Sequence, residues 1–120
     1  MKVPILRQGD TLLTSFQDDL TDRDAMDLQA DLLEMISQTQ ATSVLMDVSA
    51  MDVIDSYQAK MLSETAAMTR LLGCEVMLVG VRPKVAVSLV DLGDVIGGVR
   101  LALNLEDGIA RLRDEAEEKG

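Results

Sequence analysis

The apolar residues of this chain fall into short runs separated by turn chemistry, then into helical stripes. Val3–Leu6 and Thr11–Phe16 read as two strands, and Gly9-Asp10 between them supplies the turn of an antiparallel hairpin. At Thr21 the rhythm changes. Thr21 is followed three residues later by Asp24, a hydroxyl-and-carboxylate pairing that starts a helix. Ala25, Leu28, Leu32 and Met35 then recur every three or four residues, predicting one buried stripe. Ser43–Val48 is a continuous apolar run suited to a central strand, and Met51–Asp55 is a loop. A second helix is predicted from Ser56 to Leu72, with Gly73 placed to close it. Glu75–Val81, rich in Val and Leu without alternation, reads as a strand buried on both faces. Pro83 fits the first turn of a third helix that Gly93 ends. Val99–Leu103 is a last short strand. Asn104 caps a final helix, with Glu106 and Asp107 in its first turn and Leu105, Ile109 and Leu112 on its inner face. The charged tail Asp114–Gly120 is expected to fray.

Strands alternating with helices define the fold class as α/β: a mixed, mostly parallel sheet with an N-terminal antiparallel hairpin, packed against about four helices. A length of 120 residues suits one domain, taken here as 1–120. At 48% hydrophobic residues the chain has enough apolar material for a core and too much for a disordered polymer. Phe16 and Tyr57 are its only rings apart from proline, so that core is aliphatic, with eight methionines available to fill gaps.

Charge and missing residue types narrow the chemistry. Eleven basic and twenty-one acidic residues give a net charge of −10, which argues against nucleic-acid binding by phosphate neutralisation. The chain has no histidine, which removes Ser-His-Asp and Cys-His catalysis and the usual zinc sites. Its one cysteine, Cys74, can form no internal disulfide, consistent with a reducing cytoplasm, and reads as a small buried hydrophobe. No signal peptide and no run of about 20 apolar residues is present, so a soluble protein with no membrane contact is expected. Nothing calls for a cofactor.

The most informative stretch runs from Val44 to Tyr57, where an apolar strand leads into a loop ending with Ser56 at a helix start. Ser56 has two readings. As an N-cap its hydroxyl would satisfy a backbone N–H, worth about 1 kcal/mol. As a phosphate acceptor it would sit where the helix dipole and free amides favour a dianion. Asp52 and Asp55 would repel that phosphate and make an acidic surface more so, while Lys60, one turn on, would offset part of the repulsion.

Asp47-Val48-Ser49-Ala50-Met51-Asp52-Val53-Ile54-Asp55-Ser56 resembles the signature of STAS domains, the sulfate-transporter and anti-sigma-factor-antagonist fold. The segment from Gly73 to Ala86, Leu92-Gly93 and the opening Val3-Pro4-Ile5-Leu6 are similar to the stressosome branch of that family. The likeness extends over nearly the whole chain, and a protein without the added sensory domain of the longer members is expected. It implies a STAS fold and a non-catalytic switch. Ser56 would be the phosphorylation site, and Asp52, Ile54, Asp55, Ser56, Tyr57 and Lys60 would form the partner surface. The implied partners are a switch kinase of the histidine-kinase-like ATPase fold, a sensor-type STAS paralogue in a large assembly, a serine phosphatase and further copies of the chain itself. Ser88 is a second candidate, because sister proteins carry a threonine in a comparable place; a plain helix-surface serine is the other reading.

Other readings compete. A simpler anti-sigma factor antagonist would use the same surface on an anti-sigma kinase. A phospho-aspartate receiver would use Asp47, yet it needs an acidic pair after the first strand and a lysine after a late one. Here those places hold Arg7-Gln8-Gly9 and Arg82-Pro83. A carboxylate enzyme using Asp52 and Asp55 lacks any glycine-rich phosphate loop or nucleophile elbow, and Gly97-Gly98 reads as a turn. Nothing in the sequence argues for a small ligand.

Overall fold

The computed structural model describes residues 3–91 and 99–119. Its elements run β1 (Leu6–Gln8), β2 (Thr11–Ser15), α1 (Asp22–Thr39), β3 (Ser43–Asp47), α2 (Ser56–Leu71), β4 (Glu75–Val79), α3 (Pro83–Asp91), β5 (Arg100–Ala102) and α4 (Leu105–Lys119). They form one sheet in the order β1-β2-β3-β4-β5. β1 and β2 are antiparallel, and every later pairing is parallel.

The hairpin is where expected, but its first strand lies further along the chain. Gln8 pairs with Thr11 directly beside the turn, and Gly9 takes φ +60°, a left-handed conformation that glycine adopts without strain. The stretch before Leu6 does not join the ladder. Pro4 has no N–H to donate, and its carbonyl instead accepts the Thr14 hydroxyl at 3.3 Å.

Side-chain alternation along the strands sorts the core onto two faces. Val44, Met46, Val76 and Leu78 join Leu12 beneath α1 and α2, against Leu28, Leu32, Ile36, Ala59, Leu62 and Ala66. Leu45, Met77 and Val79 point the other way, where Leu105, Ile109 and Leu112 of α4 cover them. The sheet is thus a three-layer filling, with a large core on one side and a small one on the other. Cys74 is buried in the larger core and donates its S–H to the Ala41 carbonyl at 2.9 Å. Burial pushes its thiol pKa up.

Two ends differ from expectation or lie beyond it. The tail from Asp114 is helical through Lys119 instead of frayed. Arg100 on β5 holds Glu115 at 2.7 Å and Glu75 at 3.3 Å, and Arg111 donates to the Leu101 carbonyl at 2.8 Å. These contacts stitch the helix to the sheet edge. The Glu115 carboxylate raises the Arg100 pKa further above its ordinary value. The expected helix stop at Gly93 and the turn at Gly97-Gly98 lie outside the described residues.

Candidate functional site

The loop that carries Ser56 grows out of the centre of the sheet. β3 lies between β2 and β4, so its last residues are held from both sides. Phe16 donates its N–H to the Asp47 carbonyl at 3.0 Å, and Val48 donates to the Val79 carbonyl at 2.9 Å. Asp47 Oδ1 then accepts the Ser49 amide at 2.9 Å, and the Met51 amide reaches back to the Val48 carbonyl at 3.0 Å. These bonds give the loop two consecutive turns. Met51 and Ile54 pin it from beneath; both are buried in the larger core. Gly80, just past β4, has φ +73°, and a Cβ there would stand 2.7 Å from the Ser49 Cβ. The loop before α2 and the turn after β4 therefore touch at a place where only glycine fits.

The cap of α2 is Asp55, not Ser56. Asp55 Oδ1 accepts the Gln58 amide at 2.7 Å, and the Gln58 side chain accepts the Asp55 amide at 3.0 Å, a reciprocal capping box. The reading of Ser56 as a cap is thereby corrected. An aspartate one residue earlier meets the orphan amide with a charged acceptor. Ser56 becomes the first helical residue, exposed to solvent, and its hydroxyl is free of the capping role.

The other predicted residues divide. Asp52, Asp55, Tyr57 and Lys60 are exposed around Ser56. Lys60 lies 3.9 Å from Glu64, four residues on, so its charge is shared along α2. Ile54 does not belong on a contact surface: at 4% exposure it is a core anchor. Val53 points outward instead, 65% exposed. Ser88 is half-buried on α3, away from the loop in sequence and on a different helix.

Two residues that sequence reasoning passed over complete the site. The Asp52 amide donates to both carboxylate oxygens of Asp18, at 3.2 and 3.1 Å, and the Asp52 carboxylate takes the Arg82 guanidinium. The Arg82-Pro83 pair marks a turn in the sequence but gives no sign of its partner, 30 residues away. A cavity of about 10 Å³ beneath Tyr57, lined among others by Phe16, Leu20, Met51 and Met61, is too small for a ligand. Among the described residues, no cluster of metal-ligating side chains gathers, and no helix is long and apolar enough to cross a membrane.

Comparison with known proteins agrees with this architecture. The STAS domain family matches residues 2–107. A serine-to-glutamate variant of RsbS from Moorella thermoacetica superposes with a TM-score of 0.87 at 30% identity, covering 98% of this chain and 99% of that one. A chain from the molecular architecture of the stressosome, described as a signal integration and transduction hub, gives 0.85 at 31% identity over 94% of this chain and 98% of that one. RsbRA of Bacillus subtilis, an RsbT co-antagonist protein, is 26% identical over 92 residues, 77% of this chain. That stretch is 34% of the RsbRA sequence, so the chain matches about a third of its curated relative. The α/β order, the mixed sheet, the loop before α2 and these likenesses together make the chain a member of the STAS domain family, in its stressosome branch.

Proposed function

We propose that this protein is a non-catalytic phosphorylation switch, operating in the cytoplasm, that holds a serine/threonine switch kinase and lets it go when Ser56 is phosphorylated. The observation that carries the reading is the spare Ser56 hydroxyl: it stands in solvent at the first position of α2 while Asp55 does the capping. A kinase can reach such a hydroxyl without dismantling the helix start. The γ-phosphoryl group of ATP would pass to Ser56 Oγ. An Oγ–P bond forms, the bond from Pγ to the β–γ bridging oxygen breaks, ADP leaves, and the hydroxyl proton goes to a base on the kinase.

The product adds about 1.5 to 2 negative charges at a helix N-terminus, where the dipole tolerates them. Asp18, Asp52 and Asp55 nearby mean that the added charge deepens an acidic surface instead of neutralising a basic one. A partner that docks there through matched charges then meets a changed field. Val53, Tyr57, Asp52, Asp55 and Lys60 form the exposed ground around Ser56 on which the kinase would rest. Ser88 is a second, independent candidate acceptor.

Relatives named for the stressosome and for RsbT co-antagonism support an assembly that joins copies of this chain with a sensor-type STAS paralogue. The proposed switch also calls for a kinase of the histidine-kinase-like ATPase fold and a serine phosphatase that resets Ser56. The test is intact-mass spectrometry with peptide mapping after incubation with that kinase and ATP. One phosphate on Ser56 is expected. Kinase affinity should then fall by about tenfold or more for Ser56→Asp, a change of about 1.4 kcal/mol or more, and stay near wild type for Ser56→Ala. Equal affinity for the two variants overturns the switch.

A further inference from the structure

The contact between the switch loop and the turn after β4 involves more than close packing. Asp52 sits in the middle of the loop and is held from two neighbouring strands at once. Its amide is held by Asp18, which follows β2, and its carboxylate by Arg82, which follows β4. Beside it, Gly80 lets Ser49 approach the turn so closely that no side chain fits between them. Asp52 is three residues before the cap that starts α2, so whatever fixes Asp52 fixes the approach to Asp55 and Ser56.

We propose that Arg82 is a positioning residue for phosphate transfer to Ser56, holding the switch loop through Asp52 in the shape in which the hydroxyl is presented to the kinase. This rests on the reading of Ser56 as the phosphate acceptor. Arg82 and Asp52 are both well exposed, with side chains at 53% and 65%, so their pairing contributes little to overall stability. Its role is local. Arg82 meets Asp52 through one guanidinium nitrogen and one carboxylate oxygen, and its permanent charge and planar donor group make that contact more directional than a lysine ammonium would. The loop so held already has its floor in Met51 and Ile54. Arg82 and Asp18 supply the lateral restraint that buried apolar side chains cannot give.

The test uses the full chain in two measurements. In the first, steady-state phosphorylation by the switch kinase is followed at Ser56 for wild type, Arg82→Gln, Asp52→Asn, the double variant and Arg82→Lys. Arg82→Gln is expected to raise KM for this protein by about two- to fivefold with kcat little changed, as befits an exposed ion pair. Asp52→Asn should lose at least as much, because Asp52 also belongs to the kinase ground, the double variant should be no worse than Asp52→Asn alone, and Arg82→Lys should recover part of the loss. In the second, hydrogen exchange on the free protein should show faster exchange at the Asp52 amide in Arg82→Gln, with the strand amides of β3 and β4 unchanged. Additive losses from Asp52→Asn and Arg82→Gln would make them separate kinase contacts and overturn the positioning role. Unchanged KM in Arg82→Gln, with wild type phosphorylated at Ser56, overturns the role while leaving the switch intact. No phosphate on wild-type Ser56 overturns both, and the exchange data then report only how the loop is held.

Discussion

At the start of α1 the hydroxyl of Thr21 accepts the Asp24 amide at 3.0 Å, and Asp24 reaches back to the Thr21 amide at 3.3 Å. At the start of α2 the same reciprocal box is built from Asp55 and Gln58, and the hydroxyl next door, on Ser56, is left in solvent. The two helix starts look alike in sequence, each with a hydroxyl residue beside aspartates. A shift of one residue separates a hydroxyl consumed by structure from one available for chemistry. The comparison also shows how such a hydroxyl can be kept available: a carboxylate takes over the capping, and buried side chains hold the loop that precedes it.

The largest effect should come from removing the floor of the α2 entry. Ile54→Ala is expected to lower unfolding free energy by about 2–5 kcal/mol, because it empties a buried site; denaturant melts should show it as an earlier midpoint at unchanged slope. A loss below half a kilocalorie would mean that the loop does not depend on its anchor. The two caps come next. Asp55→Ala and Thr21→Ala should each cost about 1 kcal/mol in the same melts, since each leaves an orphan helix amide without its acceptor. Ser56→Ala is the sharpening control and should stay within about 0.5 kcal/mol of wild type. If it instead costs as much as Thr21→Ala, the serine is structural after all and the contrast between the helices collapses. The smallest effect concerns Cys74, outside both helix starts. Burial raises its thiol pKa above the ordinary 9.0, so the unfolded chain loses that proton first as pH rises. The thiol therefore adds stability that is present below about pH 9 and declines above it. Alkylation of the folded protein at pH 8 should accordingly be slower than that of the unfolded chain, read as mass gain over time.

Much of the fold was legible because its rules are local. Pro83 at the first turn of α3, Asn104 capping α4 and the apolar run Ser43–Val48 as a central strand are all satisfied in the structure. Other features had no local signature. α1 ends at Gln40 in a left-handed conformation, φ 56°, where a glycine would have announced the stop. The tail beyond Asp114 reads as a charged fringe, yet Arg100, on a strand that precedes α4 in the chain, keeps Glu115 in place. At the site, the family resemblance singled out Ser56, but it did not separate buried Ile54 from exposed Val53.

Composition, periodicity and turn chemistry by themselves determined the α/β order, the hairpin and the location of an acidic loop running into a serine at a helix start. They could do so because strand, helix and turn preferences depend on residues only a few positions apart. Which oxygen caps α2, which loop residue faces solvent and which arginine holds Asp52 were decided only by the tertiary structure. Those outcomes depend on groups such as Asp18, which follows β2, and Gly80 and Arg82, which both follow β4; parallel pairing on either side of β3 brings them beside the loop after β3, and no spacing within the chain encodes that meeting.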